Sequence, residues 1–240
     1  MIKQSLLLFF ISGCSIWNSA KAQSYSIESF EGQKVNIQLT ENVSGKSWYV
    51  AKISCLTDSL FLGDYNGVQE VHLLSHNFLE IVYNTPGGTG SLFRNTLILS
   101  VKKNKINVAL LADSYGKAFG DDIDGSLYIV KFKITGNDKS NFNLIAHIYD
   151  RHRSNLHPQM NYIKNKQIIL DFDPNRNIFY SAHKRISQSF TIGDSKVQSK
   201  KLEINDTLPV IVFDLITYYY IKGAWYKNGN DNILFREYYN

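Results

Sequence analysis

Cysteine is almost missing from this chain: Cys14 and Cys55 are the only two among 240 residues. Cys14 lies in an N-terminal stretch that reads as a cleavable leader, so the processed chain is expected to hold one thiol, which forms no intrachain bridge. The fold must then rest on buried apolar surface alone. Proline is scarce at four, and the fifteen glycines follow no fixed period, which excludes a collagen-like or low-complexity chain. Segments with the 3.6-residue periodicity of an amphipathic helix are nearly absent. No apolar run reaches the roughly 20 residues that a membrane-spanning helix needs. Charge of one sign is not concentrated either: the formal net charge of +5 falls to +3 without Lys3 and Lys21, because the leader holds no acid. The lysines sit scattered in turns such as Lys102–Lys105, with no basic stripe interleaved with aromatics, so nucleic acid is not an expected partner.

The leader itself has three parts. Lys3 supplies the positive start, Leu6 to Trp17 a short apolar segment, and Ala20-Lys21-Ala22 the small residues that a signal peptidase reads. Residues 1–22 are therefore expected to be a signal peptide and 23–240 a single β-rich domain. Ile11-Ser12-Gly13-Cys14 resembles a bacterial lipobox, which implies the alternative of a lipid anchor at Cys14. Both readings put the protein outside the cytoplasm, either secreted or periplasmic or held as an outer-membrane lipoprotein.

What the chain does have is a 44% hydrophobic fraction with 13% aromatics, arranged with a period of two from end to end. Alternation with β-branched and aromatic residues marks strands such as Ser47–Ser54, Phe78–Tyr83, Leu127–Thr135, Phe142–Asp150 and Tyr218–Trp225. Asn66-Gly67, Gly136-Asn137-Asp138, Asp173-Pro174-Asn175 and Asn228-Gly229-Asn230 supply turn chemistry between them. Strands joined by such short turns are antiparallel. The expected fold is all-β, an antiparallel meander forming a sandwich, barrel or propeller-like arrangement. Asn95–Ala112 folded about Lys103-Asn104 is the clearest hairpin, and Asn84–Phe93 is the longest expected loop. Cys55, at the end of a strand-like run, reads as a small buried apolar residue.

Several stretches carry chemistry-bearing residues without completing a motif. Gly63-Asp64-Tyr65-Asn66-Gly67 resembles the opening of the calcium loop of FG-GAP repeats, with Val68 and Gln69 standing where an acid and a glycine would complete it. Asp171–Asn177 and Gly120–Gly125 alternate or cluster oxygen-bearing side chains but lack a closing glutamate, so both read as plain turns rather than cation sites. His147, Asp150 and His152 are the densest histidine cluster, yet strand alternation turns His147 away from the other two. No metal and no cofactor is expected. An envelope hydrolase using Asp150 with His152, or a carboxylate pair from Asp121, Asp122 and Asp124, is the alternative to a binding role. Gly193-Asp194-Ser195 spells a hydrolase nucleophile block but sits late, between two strands.

Two features point to recognition instead. The Pro86–Ser91 run is a glycine-rich loop with Arg94 beside it, the place where a binding rim is expected. Tyr218, Tyr220 and Trp225 crowd one region, and aromatic rings presented outward would stack on sugars or anchor a protein. The leader combined with meanders rich in Asn, Lys and Tyr is similar to secreted proteins of Gram-negative bacteria. The sequence therefore implies a non-enzymatic binding or structural module of the bacterial cell envelope, recognising a glycan or an envelope protein through Tyr218, Tyr220, Trp225 and Arg94.

Overall fold

The computed structural model of the chain describes residues 22–41, 50–63, 65–86, 91–120, 123–136, 141–194, 197–213, 216–228, 233–236 and 238–239. Residues 1–21, Cys14 and most of the expected signal peptide included, lie outside them, as do Asp64, the glycine run 87–90, and Asp121 and Asp122. Among the described residues there is no α-helix, and no helix is long and apolar enough to cross a membrane.

Three antiparallel sheets stack in a sandwich-like arrangement that is not one closed barrel. The first contains β1 (Ala22–Glu28), β2 (Lys34–Glu41), β3 (Ala51–Cys55) and β4 (Asp58–Leu62), with β18 (Tyr238–Tyr239) added beside β4. The second is an eight-stranded meander in chain order: β5 (Val68–Ser75), β6 (Phe78–Thr85), β7 (Ser91–Lys102), β8 (Lys105–Gly120), β9 (Ile123–Thr135), β10 (Asn143–His152), β11 (Tyr162–Asp173) and β12 (Ile178–Tyr180). The third holds β13 (Ala182–Asp194), β14 (Val197–Phe213), β15 (Ile216–Ile221), β16 (Ala224–Asn228) and β17 (Ile233–Arg236). Its pairing runs round in a circuit, because β17 lies parallel to β13 along Thr191–Gly193.

Turn residues fix the registers. Lys103 and Asn104 adopt φ of 50° and 60°, the left-handed pair of a two-residue hairpin turn whose twist matches that of the flanking strands. At Gly136, with φ of 98°, a Cβ would lie 2.1 Å from the Asn141 carbonyl oxygen, so the connection from β9 to β10 requires glycine. The expected Asn84–Phe93 loop is shorter than its sequence implies, since Thr85 already pairs with Phe93. By alternation the stretches Lys196–Ile204 and Val210–Phe213 are expected to be separate strands; Lys196 lies outside the described residues, and Val197–Ile204 and Val210–Phe213 both belong to β14. Pro209 is tolerated there because the β15 pairing starts only at Val210, leaving the side where Pro lacks a donor unpaired.

The strand β8 holds the layers together. β3 and β4 rest on it from the first sheet and β16 from the third. Val108 to Ala112 are accordingly all buried, irrespective of which face each occupies. Below β8, Phe78 packs edge-on against Phe142 at 5.1 Å and Phe172 at 5.5 Å, while Phe30 from the β1–β2 turn stacks on Phe172 at 5.7 Å. The Phe30 N–H donates to the Val101 carbonyl at 2.9 Å and the Asn77 side-chain amide to the Glu28 carbonyl at 2.9 Å, pinning the first sheet to the second. Cys55 is free and buried, and burial raises its thiol pKa, as fits a small apolar core residue.

Two irregularities in the second sheet shape the cavities on its surface. The β8–β9 ladder is confined to the stretch from Tyr115↔Ile129 to Gly120↔Ile123, so the strands part beyond it into a fork. Opposite β7, Asn95 pairs with Asp113 but Arg94 pairs with Tyr115. Ser114 is thus the extra residue of a bulge, and it turns Asp113 and Tyr115 to opposite faces of the sheet.

Candidate functional site

Three of the aromatic side chains singled out by sequence do not form an outward surface. Tyr218 and Trp225 are each only 1% exposed, and Tyr220 is half-buried with its ring 5.2 Å from that of Trp225. Alternation along β15 holds, but both of its faces are covered. Tyr218 and Trp225 point at β8, where the Trp225 indole N–H donates to the Val108 carbonyl at 3.1 Å and the Tyr218 hydroxyl accepts from the Asp113 N–H at 2.8 Å. Tyr219 points the other way, into the third sheet, where its ring meets Phe190 at 5.6 Å. These residues tie two sheets together. Among the described residues the most exposed aromatic rings are Phe93, 42% exposed, and Tyr162, 39% exposed.

Arg94 lies where the sequence places it, at the start of β7, half-buried on the wall of two cavities. Because of the bulge, it faces Tyr115 across the strands, and its guanidinium lies 4.6 Å from the centre of that ring. Its Nε donates to the Asn84 Oδ1 at 3.2 Å, and the Ser114 hydroxyl donates to the Arg94 carbonyl at 3.4 Å. Stacked on one face and tethered at Nε, the guanidinium is pre-set with its two terminal amino groups available for an acceptor.

One cavity, of about 620 Å³, is a cleft between the second and third sheets. Phe93 stands on its rim with the ring over Gly116, where an added Cβ would lie 3.5 Å from it. Deeper in, Asp113 and Lys227 form an ion pair that bridges β8 and β16, and the Asn95 amide donates to the Tyr83 hydroxyl at 3.4 Å. Thr85 and Pro86 border the cleft on the side from which the glycine run departs. The cleft therefore offers an apolar ring at the mouth and paired charges and an amide within. Asp113 and Lys227 gave no signal in the sequence, since they lie more than a hundred residues apart and meet only through the stacking of sheets.

The second cavity, of about 420 Å³, occupies the fork where β8 and β9 part. Its inner wall carries Glu80, only 7% exposed and the single acid of the run Phe78–Tyr83. Desolvation pushes the Glu80 carboxyl up to about 7; Glu70 adds to the rise and His72 opposes it. His72, the register partner of Glu80, turns its Nε2 to Glu70 at 2.9 Å.

Of the remaining candidates, Asp150, His152 and Asp173 fall among the described residues, with the following surroundings. Asp150 and His152 share a face, but the His152 Nδ1 is engaged by the Ser126 hydroxyl at 2.8 Å and its ring packs on Tyr162 at 5.8 Å. No hydrogen bond joins His152 to Asp150 among the described residues. The side chains of Asp121, Asp122 and Asp124 lie outside the described residues, as does Ser195 of the Gly193-Asp194-Ser195 run. Asp173 closes its own turn, accepting from the N–H groups of Asn175 at 2.8 Å and Arg176 at 3.1 Å and from the Arg176 guanidinium at 2.8 Å. Among the described residues no group of three or more His, Cys, Asp or Glu side chains converges as a metal site would require.

Comparison with protein-family models, curated proteins and solved structures finds no match to the chain. The functional reading therefore stands on the geometry of these cavities.

Proposed function

We propose that this chain is an exported, non-enzymatic binding module of the bacterial cell envelope that takes a glycan in the cleft between its second and third sheets. The observation that carries the reading is Phe93, a ring 42% exposed at the mouth of a cleft of about 620 Å³ whose interior holds the Asp113–Lys227 pair. An exposed ring beside paired donors and acceptors suits a sugar, which has an apolar face bounded by hydroxyls. A volume in this range is that of an ordinary small-ligand site. Arg94, on the same wall, adds a cation that a uronic or otherwise acidic sugar would use. Export rests on the Lys3, Leu6–Trp17 and Ala20-Lys21-Ala22 pattern, with anchoring at Cys14 as the alternative fate of the leader.

The test is calorimetric titration of the processed protein with envelope and plant oligosaccharides, neutral and acidic. Binding lost at least tenfold in Phe93→Ala and retained in Tyr162→Ala, a control ring outside the cleft, supports the reading. Equal affinity in Phe93→Ala refutes it. Release of shorter sugars during the titration refutes the non-enzymatic part and returns the hydrolase alternative.

A further inference from the structure

The fork cavity contains a side chain with an unmet requirement. Glu80 is more than nine-tenths buried, lines the cavity, and makes no side-chain hydrogen bond among the described residues. The neighbour placed to neutralise it, His72, gives its Nε2 to Glu70 instead. A carboxylate at such depth without a donor is costly, and natural cores do not keep one unless something supplies the missing partner or the site uses the group. Val82, Leu74, Val130 and Phe132 line the same cavity with apolar surface, beside the polar Glu70, His72, Thr96 and Lys131, so a ligand there meets both kinds of wall.

The other end of the same cavity has the opposite character. Arg94 stands four residues along the paired strands from the level of Glu80, since Glu80 pairs with Ile98 and Asn84 with Arg94. That offset is roughly 13 Å between backbones, and both side chains reach inward to line one space. Arg94 is already oriented by Asn84 and Tyr115, so its terminal amino groups can take a carboxylate end-on. Lys131, across the fork on β9, adds a second positive charge on that wall.

We infer that the fork cavity binds a small zwitterion, an α-amino acid or short peptide with an apolar side chain, holding its ammonium on Glu80 and its carboxylate on Arg94. The placement suits this chemistry: two groups of opposite charge line one cavity about four residues apart along the paired strands, and a ligand with an ammonium and a carboxylate can engage both, each through a hydrogen bond of roughly 2.9 Å. The apolar wall between them receives the side chain. The fork shares Arg94 and Tyr115 with the glycan cleft and differs from it in the rest of its lining: Glu80 borders the fork and not the cleft, and Phe93 the cleft and not the fork.

The experiment is calorimetry and thermal-shift measurement with L-leucine, Leu-Leu, leucinamide and N-acetyl-leucine on the wild-type protein. Binding of leucine or of Leu-Leu, weakened at least tenfold by capping either terminus, is the expected result. Which of the two binds more tightly separates a free amino acid from a peptide as the ligand. Glu80→Gln, nearly isosteric, should lose at least tenfold while unfolding cooperatively, and Phe93→Ala should stay within twofold. The inference is overturned if neither leucine nor Leu-Leu binds, if leucinamide or N-acetyl-leucine binds as tightly as leucine, or if Glu80→Gln binds undiminished. Failure of sugar binding in Phe93→Ala bears on the cleft alone.

Discussion

Replacing Glu80 with glutamine should remove a specific part of the protein's dependence on pH. Burial raises this carboxyl from its ordinary 4.5 to about 7 in the folded state, so between those values the folded chain holds a proton that the unfolded chain has released. Stability therefore falls as pH rises through that interval, is unaffected by Glu80 below it, and bears the full cost above it. At roughly 1.4 kcal/mol per pH unit, the cost at pH 8 comes to about 3 kcal/mol. Glutamine keeps the shape and carries no charge at any pH. The two proteins should then be nearly equal in stability at pH 4, and Glu80→Gln more stable by about 3 kcal/mol at pH 8. Urea unfolding followed by the fluorescence of buried Trp225 reads this directly. With a slope of roughly 2–3 kcal/mol per molar for a chain of this size, the midpoints should separate by about 1 M at pH 8. Titration of other groups is common to both proteins and cancels in the difference. Parallel stability curves from pH 4 to 8 would refute the argument, because they would mean that Glu80 ionises in the folded protein as it does in water.

Three further substitutions probe the same geometry. Trp225→Phe leaves the buried Val108 carbonyl without the indole donor and should cost at least about 1–3 kcal/mol, read as a lowered Tm. At Asp173, burial pushes the carboxyl up, but hydrogen bonds from the Arg176 guanidinium and from the Arg176 and Asn175 N–H groups outweigh it and hold the pKa below its usual value. The stability it adds is present above the ordinary carboxylate range and lost as pH falls through the lowered value; Asp173→Ala should cost about 1–2 kcal/mol at neutral pH and flatten the acid limb of the stability curve. Lys103→Gly relieves a left-handed backbone at a residue with a Cβ and should stabilise the hairpin by about 1 kcal/mol, measurable as an upward shift of the urea midpoint.

Alternation was enough to read the all-β antiparallel meander, because pleat and turn chemistry are local. The Lys103-Asn104 hairpin and the burial of Cys55 followed from a few neighbouring residues each. β1 went unread although Ser24 and Ser26 alternate with Tyr25 and Ile27 as a half-buried strand requires, because only those two residues mark its apolar side and its order comes from the partner β2. The candidate site divided along the same line. Arg94 was legible beside a glycine run, whereas the burial of Tyr218 and Trp225 was not, because periodicity tells which side chains share a face and not what lies on top of it. The Ser114 bulge that aims Tyr115 at Arg94 has no local signature. Glu80 had one: a single acid inside the apolar run Phe78–Tyr83, on the face that a strand of that composition would be expected to bury.

The pairing of β18 with β4 has a consequence for biogenesis. Tyr238 and Leu62 meet across most of the chain, so the outer ladder of the first sheet stays open while everything between them is synthesised. A vacant strand edge of this kind is sticky toward other copies, and distant closures of this sort are slow to form. Newly made chains should consequently depend on a holding factor until the last strand is added, and truncation before residue 238 should raise aggregation more than it lowers the melting point.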